Sequence, residues 1–252
     1  TRKSQYFKNE WAKRLQDVRK HRKLKISHII DSKEIIEISS PLDGKILLDA
    51  GCGLGLSTIK LLKKNTKIIF LDIITESLMF IKQLIEIEKI KGEFILIAAD
   101  IANLPLNEKS VNIIWSGGVL EHFHSLKKPY SELYRVLKKK GDLIFTIPNK
   151  FGLQRIISYI KEKILGSLEG HYEKGFIYYQ LKNFFPNSYF SDYKIKTSGI
   201  IQTFYDILIP KLKIKLPYIS FLFYKNIIIF LSKLIPSIKF SISWFRLYGK
   251  KK

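Results

Sequence analysis

From Lys45 onward, short apolar runs alternate with stretches of helical spacing, and this alternation constrains the fold more than any other feature of the 252-residue chain. Ile46–Ala50, Ile68–Leu71, Phe94–Ala98, Val111–Trp115 and Leu143–Ile147 are dominated by Ile, Leu, Val and Phe and read as strands. Leu54–Lys64, Glu76–Ile90 and Pro129–Lys139 read as helices, the last with Gly141 as its stop signal. Strands alternating with helices imply a parallel sheet with both faces covered. Nearly continuous apolar strands are what burial on both sides requires.

After Pro148 the pattern changes. Phe151–Leu165 and Phe176–Phe185 read as helices, the second stopped by Pro186. Ser191–Lys196 alternates weakly, as a strand would. Lys239–Leu247 alternates again through Phe240, Ile242 and Trp244, and reads as a last strand ending before Gly249. Between them, Pro210–Pro236 is apolar, aromatic and dotted with lysine, as an insertion between two sheet strands would be. The expected organisation is a helical N-terminal extension over residues 1–40, a core over 41–200, and a basic, apolar elaboration over 201–252 that carries the last strand.

Charge and cysteine usage limit the partners. The chain holds 44 Lys and Arg against 22 Asp and Glu, a formal net charge of +22, concentrated at its ends. Residues 1–40 carry eleven Lys and Arg against five acids, and residues 205–252 carry ten against Asp206 alone. Such ends attract polyanions, either nucleic acid or anionic lipid headgroups, or they simply solvate the surface. A single cysteine, Cys52, excludes an intramolecular disulfide and a cysteine-cluster zinc site, and no metal is expected. It fits a reducing compartment. Thr1 in place of Met points to an N-terminus that is trimmed or incomplete, and the opening stretch has no apolar signal-peptide region. The longest apolar stretch, Ile219–Ile235, is interrupted by Lys225, Asn226 and Lys233, short of a spanning helix. The expected location is cytoplasmic, with attachment to the inner face of the membrane as an elaboration.

The chemistry concentrates in Leu47-Leu48-Asp49-Ala50-Gly51-Cys52-Gly53-Leu54-Gly55, where the first strand turns toward the next element. Glycines there permit a tight turn and a close approach of backbone to a ligand. A helix start would add free N–H groups. The spacing is G-x-G-x-G, with Leu56 where a dinucleotide fingerprint places its third glycine, which argues against NAD and FAD. Asp72, at the end of the second strand, can accept both hydroxyls of a ribose or cap the following helix.

These features, taken with five further segments in order, resemble the class I S-adenosylmethionine-dependent methyltransferases, and in particular their small-molecule group. The segments are Phe70-Leu71-Asp72-Ile73, Ala99 to Leu106, Val119-Leu120-Glu121-His122, Glu132 to Lys138, and Gly141 to Asn149. The resemblance covers about Lys45–Asn149, with a weaker echo in His171-Tyr172 before Tyr179-Gln180-Leu181. It implies a Rossmann-like, mostly parallel seven-stranded sheet in a three-layer sandwich, with a helical C-terminal insertion and antiparallel last strands at one edge. It also implies a set of roles. Asp49 would hold the methionine amino group of S-adenosylmethionine, and Gly51, Gly53 and Gly55 would pass beneath the cofactor. Asp72 would take the ribose hydroxyls, with Ile73 packed on the adenine. Asp100 would accept from the adenine amino group, with Ile101 alongside. Ser116 and Gly117 would line the methionine end and the reacting methyl. Asn112, where the family often has Asp, and the glycine-rich Ser116-Gly117-Gly118 depart from the pattern without touching cofactor binding.

A sulfonium is already an activated methyl donor, so the protein chiefly aligns the acceptor. A base helps if the acceptor is a hydroxyl, and His171 and His122 are the candidates, with His124 behind them and Tyr172 as a positioning aid. No Asn-Pro-Pro-aromatic run follows the fourth strand, Cys52 lies inside the glycine loop, and Glu121 stands alone on its loop. Base, cytosine-C5 and arginine methylation are therefore disfavoured. In the tail, helical spacing places Ile219, Phe223, Ile227 and Phe230 on one stripe among lysines. Such a segment suits an anionic membrane surface, at about 1 kcal/mol per lysine, or a lid over the substrate pocket. The leading expectation is O-methylation of a small-molecule or lipid-like acceptor. The alternatives are an RNA methyltransferase using the basic ends and a non-catalytic cofactor-binding module at a membrane.

Overall fold

The structure, a computed structural model, describes residues 26–150, 174–176, 181–184, 189–198 and 244–252. Helix α1 (Ile26–Ser39) precedes strand β1 (Ile46–Ala50). A 3-10 segment (Ile59–Lys64), strand β2 (Lys67–Asp72), helix α2 (Thr75–Ile87) and strand β3 (Phe94–Ala98) follow. Strand β4 (Val111–Gly117), a 3-10 turn (Leu120–His122), helix α3 (Lys127–Val136) and strand β5 (Leu137–Pro148) complete the regular alternation. Strands β6 (Phe190–Ser198) and β7 (Trp244–Lys251) close the sheet.

The seven strands form one sheet in the order β3-β2-β1-β4-β5-β7-β6. The first five are parallel, and β7 runs antiparallel to both β5 and β6. This is the expected Rossmann-like sheet, with its antiparallel strands at one edge. Each sheet face carries its own core. On one face Leu47, Ile68, Phe70, Ile113 and Trp115 pack with Ile35 of α1, Ile59 and Leu62 of the 3-10 segment, and Ile81 and Ile85 of α2. On the other face Leu48, Ile69, Leu71, Ile114, Leu143 and Phe145 pack with Leu133 and Val136 of α3 and with Phe176, Leu181 and Phe184. Period-two alternation within buried strands sends neighbouring residues such as Leu47 and Leu48 to opposite cores.

Four expectations need correction. The helix expected from Leu54 is a 3-10 segment that starts at Ile59. Its buried residues Ile59, Leu61 and Leu62 lie within four positions, and Asn65, in the left-handed conformation at φ 55°, ends it before a longer helix forms. Helix α3 stops at Val136, well before Gly141, because Leu137 joins the sheet opposite Val111. Gly141 instead serves a bulge. The register jumps from Val111↔Leu137 to Ile113↔Asp142, and a Cβ on Gly141 would lie 2.6 Å from Leu137 Cδ1 and 2.9 Å from Asn112 O. Phe176, expected at a helix start, is extended in a parallel bridge with Asn149, and among the described residues of that stretch a 3-10 turn covers Lys182–Phe184. Finally, β7 continues through Gly249 into the terminal lysines. Lys251 is buried, and its ammonium donates to Tyr134 O and Leu137 O at 2.7 Å each. Of the helical extension expected over 1–40, helix α1 covers Ile26–Ser39 and residues 1–25 lie outside the described residues, as do the helix expected over 151–165 and the insertion at 210–236.

Candidate active site

Parallel pairing brings the carboxyl ends of β1, β2 and β3 side by side, and each delivers one carboxylate there. Asp49 lies near the end of β1, Asp72 is the last residue of β2, and Asp100 follows β3 by two residues. In open α/β sheets, ligands bind in this place.

Asp49 is 2% exposed and accepts a hydrogen bond from Thr58 Oγ1 at 2.5 Å. Burial pushes its carboxyl up to about 7, against the pull of the Thr58 hydroxyl, with the nearby Asp72 and Asp31 charges adding to the rise. A buried carboxylate held this way gains most from a cation placed beside it. Asp72 is also buried. Its Oδ2 accepts from Gly53 N–H at 2.8 Å and its Oδ1 from Ile74 N–H at 2.9 Å. One side chain thus fixes the backbone just ahead of α2 and holds the glycine loop. Burial raises the Asp72 carboxyl, and these backbone N–H groups oppose the rise. Beside it, Ile73 is a large apolar side chain left 66% exposed, a platform suited to a flat ring. Asp100 is exposed, and its Oδ1 accepts from Ala102 N–H at 2.8 Å, while Ile101 is buried in the core.

The glycine loop folds back over these ends. Gly51 N–H and Cys52 N–H both donate to Leu71 O, at 2.8 and 2.9 Å, which ties the loop to the end of β2. Gly51, Gly53 and Gly55 all have positive φ, at 74°, 52° and 64°. A side chain at Gly51 would also collide with Val119, whose Cγ2 is 2.5 Å from an ideal Cβ position. No helix N-terminus sits at Leu54, so the loop's own backbone rather than a helix end faces this region.

At the exit of β4, Ser116 is fully buried and its hydroxyl donates to Ala50 O at 3.0 Å, stapling β4 to β1. Gly117 is packed so that a Cβ would lie 2.8 Å from the Trp115 ring, and Gly118 N–H donates to Thr146 Oγ1 at 3.1 Å. His122 is half-buried at the end of the 3-10 turn that follows. His124 is exposed, and His171 and Tyr172 lie outside the described residues. Among the described residues no cluster of His, Cys, Asp and Glu could hold a metal ion.

Two supporting groups escaped the sequence reading. The first comes from α1. His28 Nδ1 lies 3.1 Å from Ser57 Oγ, Ser57 Oγ donates to Asp31 Oδ2 at 2.9 Å, and Ser32 Oγ donates to Ser57 O at 2.5 Å. Asp31 and Glu34 are in turn paired with the buried Arg246 of β7. Ser57 adjoins Thr58, so this network abuts the Asp49 hydrogen bond. A signal existed: Arg246 is the one arginine among the ten cations of residues 205–252. The second is Glu132 and Arg135 of α3. Both lie in a segment already singled out by resemblance, yet they had no assigned role.

Residues 48–145 match the model of a family described as a methyltransferase domain. Over 124 residues the chain is 35% identical to uncharacterized protein MJ0638 of Methanocaldococcus jannaschii, covering 49% of this chain and 47% of that protein. Over 112 residues it is 27% identical to the malonyl-[acyl-carrier protein] O-methyltransferase of Yersinia pestis, covering 44% and 40%. The chain thus spans less than half the length of these two relatives. Among solved structures, a SAM-dependent methyltransferase from Thermotoga maritima, titled a possible histamine N-methyltransferase, superposes with a TM-score of 0.59 at 14% identity. That superposition covers 98% of this chain and 97% of the other, and shows a shared fold.

Proposed function

We propose that the chain, whose residues 48–145 match the model of a methyltransferase domain, is a class I S-adenosylmethionine-dependent methyltransferase that transfers a methyl group to an oxygen atom of a small-molecule acceptor. S-adenosylmethionine is the cofactor. The carrying observation is the row of Asp49, Asp72 and Asp100 at the carboxyl ends of three neighbouring strands, roofed by the glycine loop. The row presents three acceptors to a ligand with an ammonium at one end, a diol in the middle and an aromatic amine at the other.

In this reading the buried Asp49 carboxylate binds the cofactor's ammonium, whose charge offsets the burial that raises the carboxyl. Asp72 receives the ribose hydroxyls while keeping its two backbone N–H bonds, since a carboxylate has lone pairs to spare. Ile73 packs on the base, Asp100 accepts a hydrogen bond from its amino group, and Ile101, buried in the core, anchors the loop that carries Asp100. Gly51, Gly53 and Gly55 let the backbone come close, and Ser116 and Gly117 line the methionine end. The sulfonium supplies an activated methyl group, so the chain aligns the acceptor and removes its proton. His122 is the base candidate among the described residues, with His171 and Tyr172 as candidates beyond them. Oxygen as the acceptor atom draws support from the malonyl-[acyl-carrier protein] O-methyltransferase relative. A lipid-like acceptor and docking on an anionic membrane rest on the lysine-dotted apolar segment Pro210–Pro236. No helix among the described residues is long and apolar enough to cross a membrane.

The test is transfer of a labelled methyl group from S-adenosylmethionine into a cell extract, with products split into organic, aqueous and nucleic-acid fractions. Label in the organic or aqueous fraction, released by mild base as an ester or held as an ether, supports the reading. Label in the nucleic-acid fraction alone, or cofactor binding without transfer, overturns it.

A further inference from the structure

The connection from β3 to β4 contains no helix, yet residues 100–106 are held firmly, and the hold comes from one pair of side chains on α3. Glu132 and Arg135 form a two-pronged ion pair, with Arg135 Nε on Glu132 Oε1 at 2.9 Å and Arg135 NH2 on Glu132 Oε2 at 2.8 Å. The pair then reaches across to the loop. Glu132 Oε2 accepts from Leu104 N–H at 2.9 Å. Arg135 donates to Leu104 O at 3.0 Å and to Leu106 O at 2.8 Å. Ile101 and Leu104 anchor the same loop in the core below.

The hold falls on the backbone just after Asp100. With Leu104 fixed by a donor and an acceptor and Leu106 by a third bond, the turn that engages Asp100 Oδ1 with Ala102 N–H has little freedom. Asp100, two residues beyond the Ala98 that pairs with Asp72, is thereby held in one place near the end of β2. The arginine hydrogen bond holds the Glu132 carboxyl below the usual range, so the pair stays ionised at neutral pH. A lysine at 135 could not serve Glu132 and two carbonyls at once, because only a planar fork offers donors in those directions.

We propose that Glu132 and Arg135 are positioning residues for base recognition: they hold the loop that presents Asp100, and so set the preference for a purine bearing a 6-amino group. The inference rests on the cofactor reading above. It takes two residues that touch no cofactor and assigns them a share of its specificity. A ligand whose base carries a 6-oxo group turns an acceptor toward Asp100 where adenine offers a donor, so its binding depends little on whether the loop is fixed or free. The adenine ligand gains only when the loop is fixed.

The experiment is calorimetric titration of the full chain with S-adenosylhomocysteine and with its 6-oxo counterpart, S-inosylhomocysteine. Wild-type protein should prefer the adenine ligand by about tenfold or more, the worth of one well-placed charge-assisted hydrogen bond. Arg135→Lys and Glu132→Ala should weaken the adenine ligand by about tenfold and leave the inosine ligand within about twofold, so that the preference collapses. General loss of folded protein lowers the binding stoichiometry for both ligands and leaves their ratio alone. A preserved ratio in either folded variant would overturn the proposal, and Arg135→Lys serves if Glu132→Ala does not fold. Wild-type protein that binds neither ligand would sink the cofactor reading itself, and the loop assignment with it. Wild-type protein that binds both equally would remove the Asp100 role alone.

Discussion

Asp49 should make both stability and cofactor affinity depend on pH, in opposite directions. Its carboxyl rises from an ordinary 3.8 to about 7 in the folded chain, with burial as the leading cause. A raised folded value means that the associated stability is present below about pH 4 and lost as pH climbs through about 7. The lost amount follows from the size of the rise, at roughly 1.4 kcal/mol per unit, or about 4 kcal/mol over the whole window. Between about pH 5 and pH 7 the share is roughly 2–3 kcal/mol. Asp31, Asp72 and Asp142 are also raised, so the clean measurement is wild type against Asp49→Asn. Urea unfolding at several pH values should show wild type losing that amount relative to the variant. Binding runs the other way. The ammonium of S-adenosylhomocysteine favours ionised Asp49, so affinity should rise up to about tenfold per pH unit from about pH 5 to 7. It should then level off, and fall above about pH 8 as the ligand's own amino group loses its proton. An identical stability slope in wild type and Asp49→Asn, or affinity flat from about pH 5 to 7, would refute the buried-carboxylate argument.

Gly51→Ala combines a positive φ of 74° with a contact of 2.5 Å to Val119. It should cost about 1–3 kcal/mol in thermal unfolding and abolish cofactor binding. Asp72→Ala removes the acceptor for Gly53 and Ile74 N–H as well as for the ribose, and titration calorimetry should find affinity at least about a hundredfold weaker. Ser57→Ala removes the His28 and Asp31 side-chain bonds between α1 and the cofactor loop, leaving the Ser32 bond to the Ser57 carbonyl and the Arg246 pairs intact. Affinity should fall about fivefold with little change in melting temperature, and unchanged affinity would reduce α1 to packing. Lys251→Met leaves Tyr134 O and Leu137 O without their ammonium, and urea unfolding should show a loss of about 1–3 kcal/mol.

Much of this was legible because the strands state their burial directly. Ile46–Ala50 and Phe94–Ala98 were found to the residue, since the first is an apolar run between Lys45 and Gly51 and the second one that follows Gly92-Glu93. The glycine loop was legible for a related reason: three closely spaced glycines imply positive φ, and all three have it. Local spacing misled where tertiary demand decides. Leu137 suits a helix continuing from Val136, but the sheet takes it opposite Val111. Gly141 looked like a helix stop and is a packing glycine in a bulge. The network around Ser57 was invisible because its partners His28, Asp31 and Ser32 lie 29, 26 and 25 residues earlier and Arg246 lies 215 residues beyond Asp31. Lys251 read as a solvated tail lysine, since its two carbonyl partners, Tyr134 of α3 and Leu137 of β5, lie more than a hundred residues earlier.

The place of β7 bears on how the chain comes to be folded. Residues 244–251 fill the gap between β5 and β6, and among the described residues β6 has no other sheet neighbour. During synthesis, Phe190–Ser198 therefore waits beside an incomplete sheet until a segment some fifty residues later has emerged. Meanwhile the open edge of β5, with Leu143, Phe145 and Ile147, is exposed to any strand that comes first. Arg246 arrives on that same late strand, so the clasp of α1 over the cofactor loop also closes last. A nascent chain halted before Trp244 should thus bind chaperones along β5, and release them only when the closing strand is made.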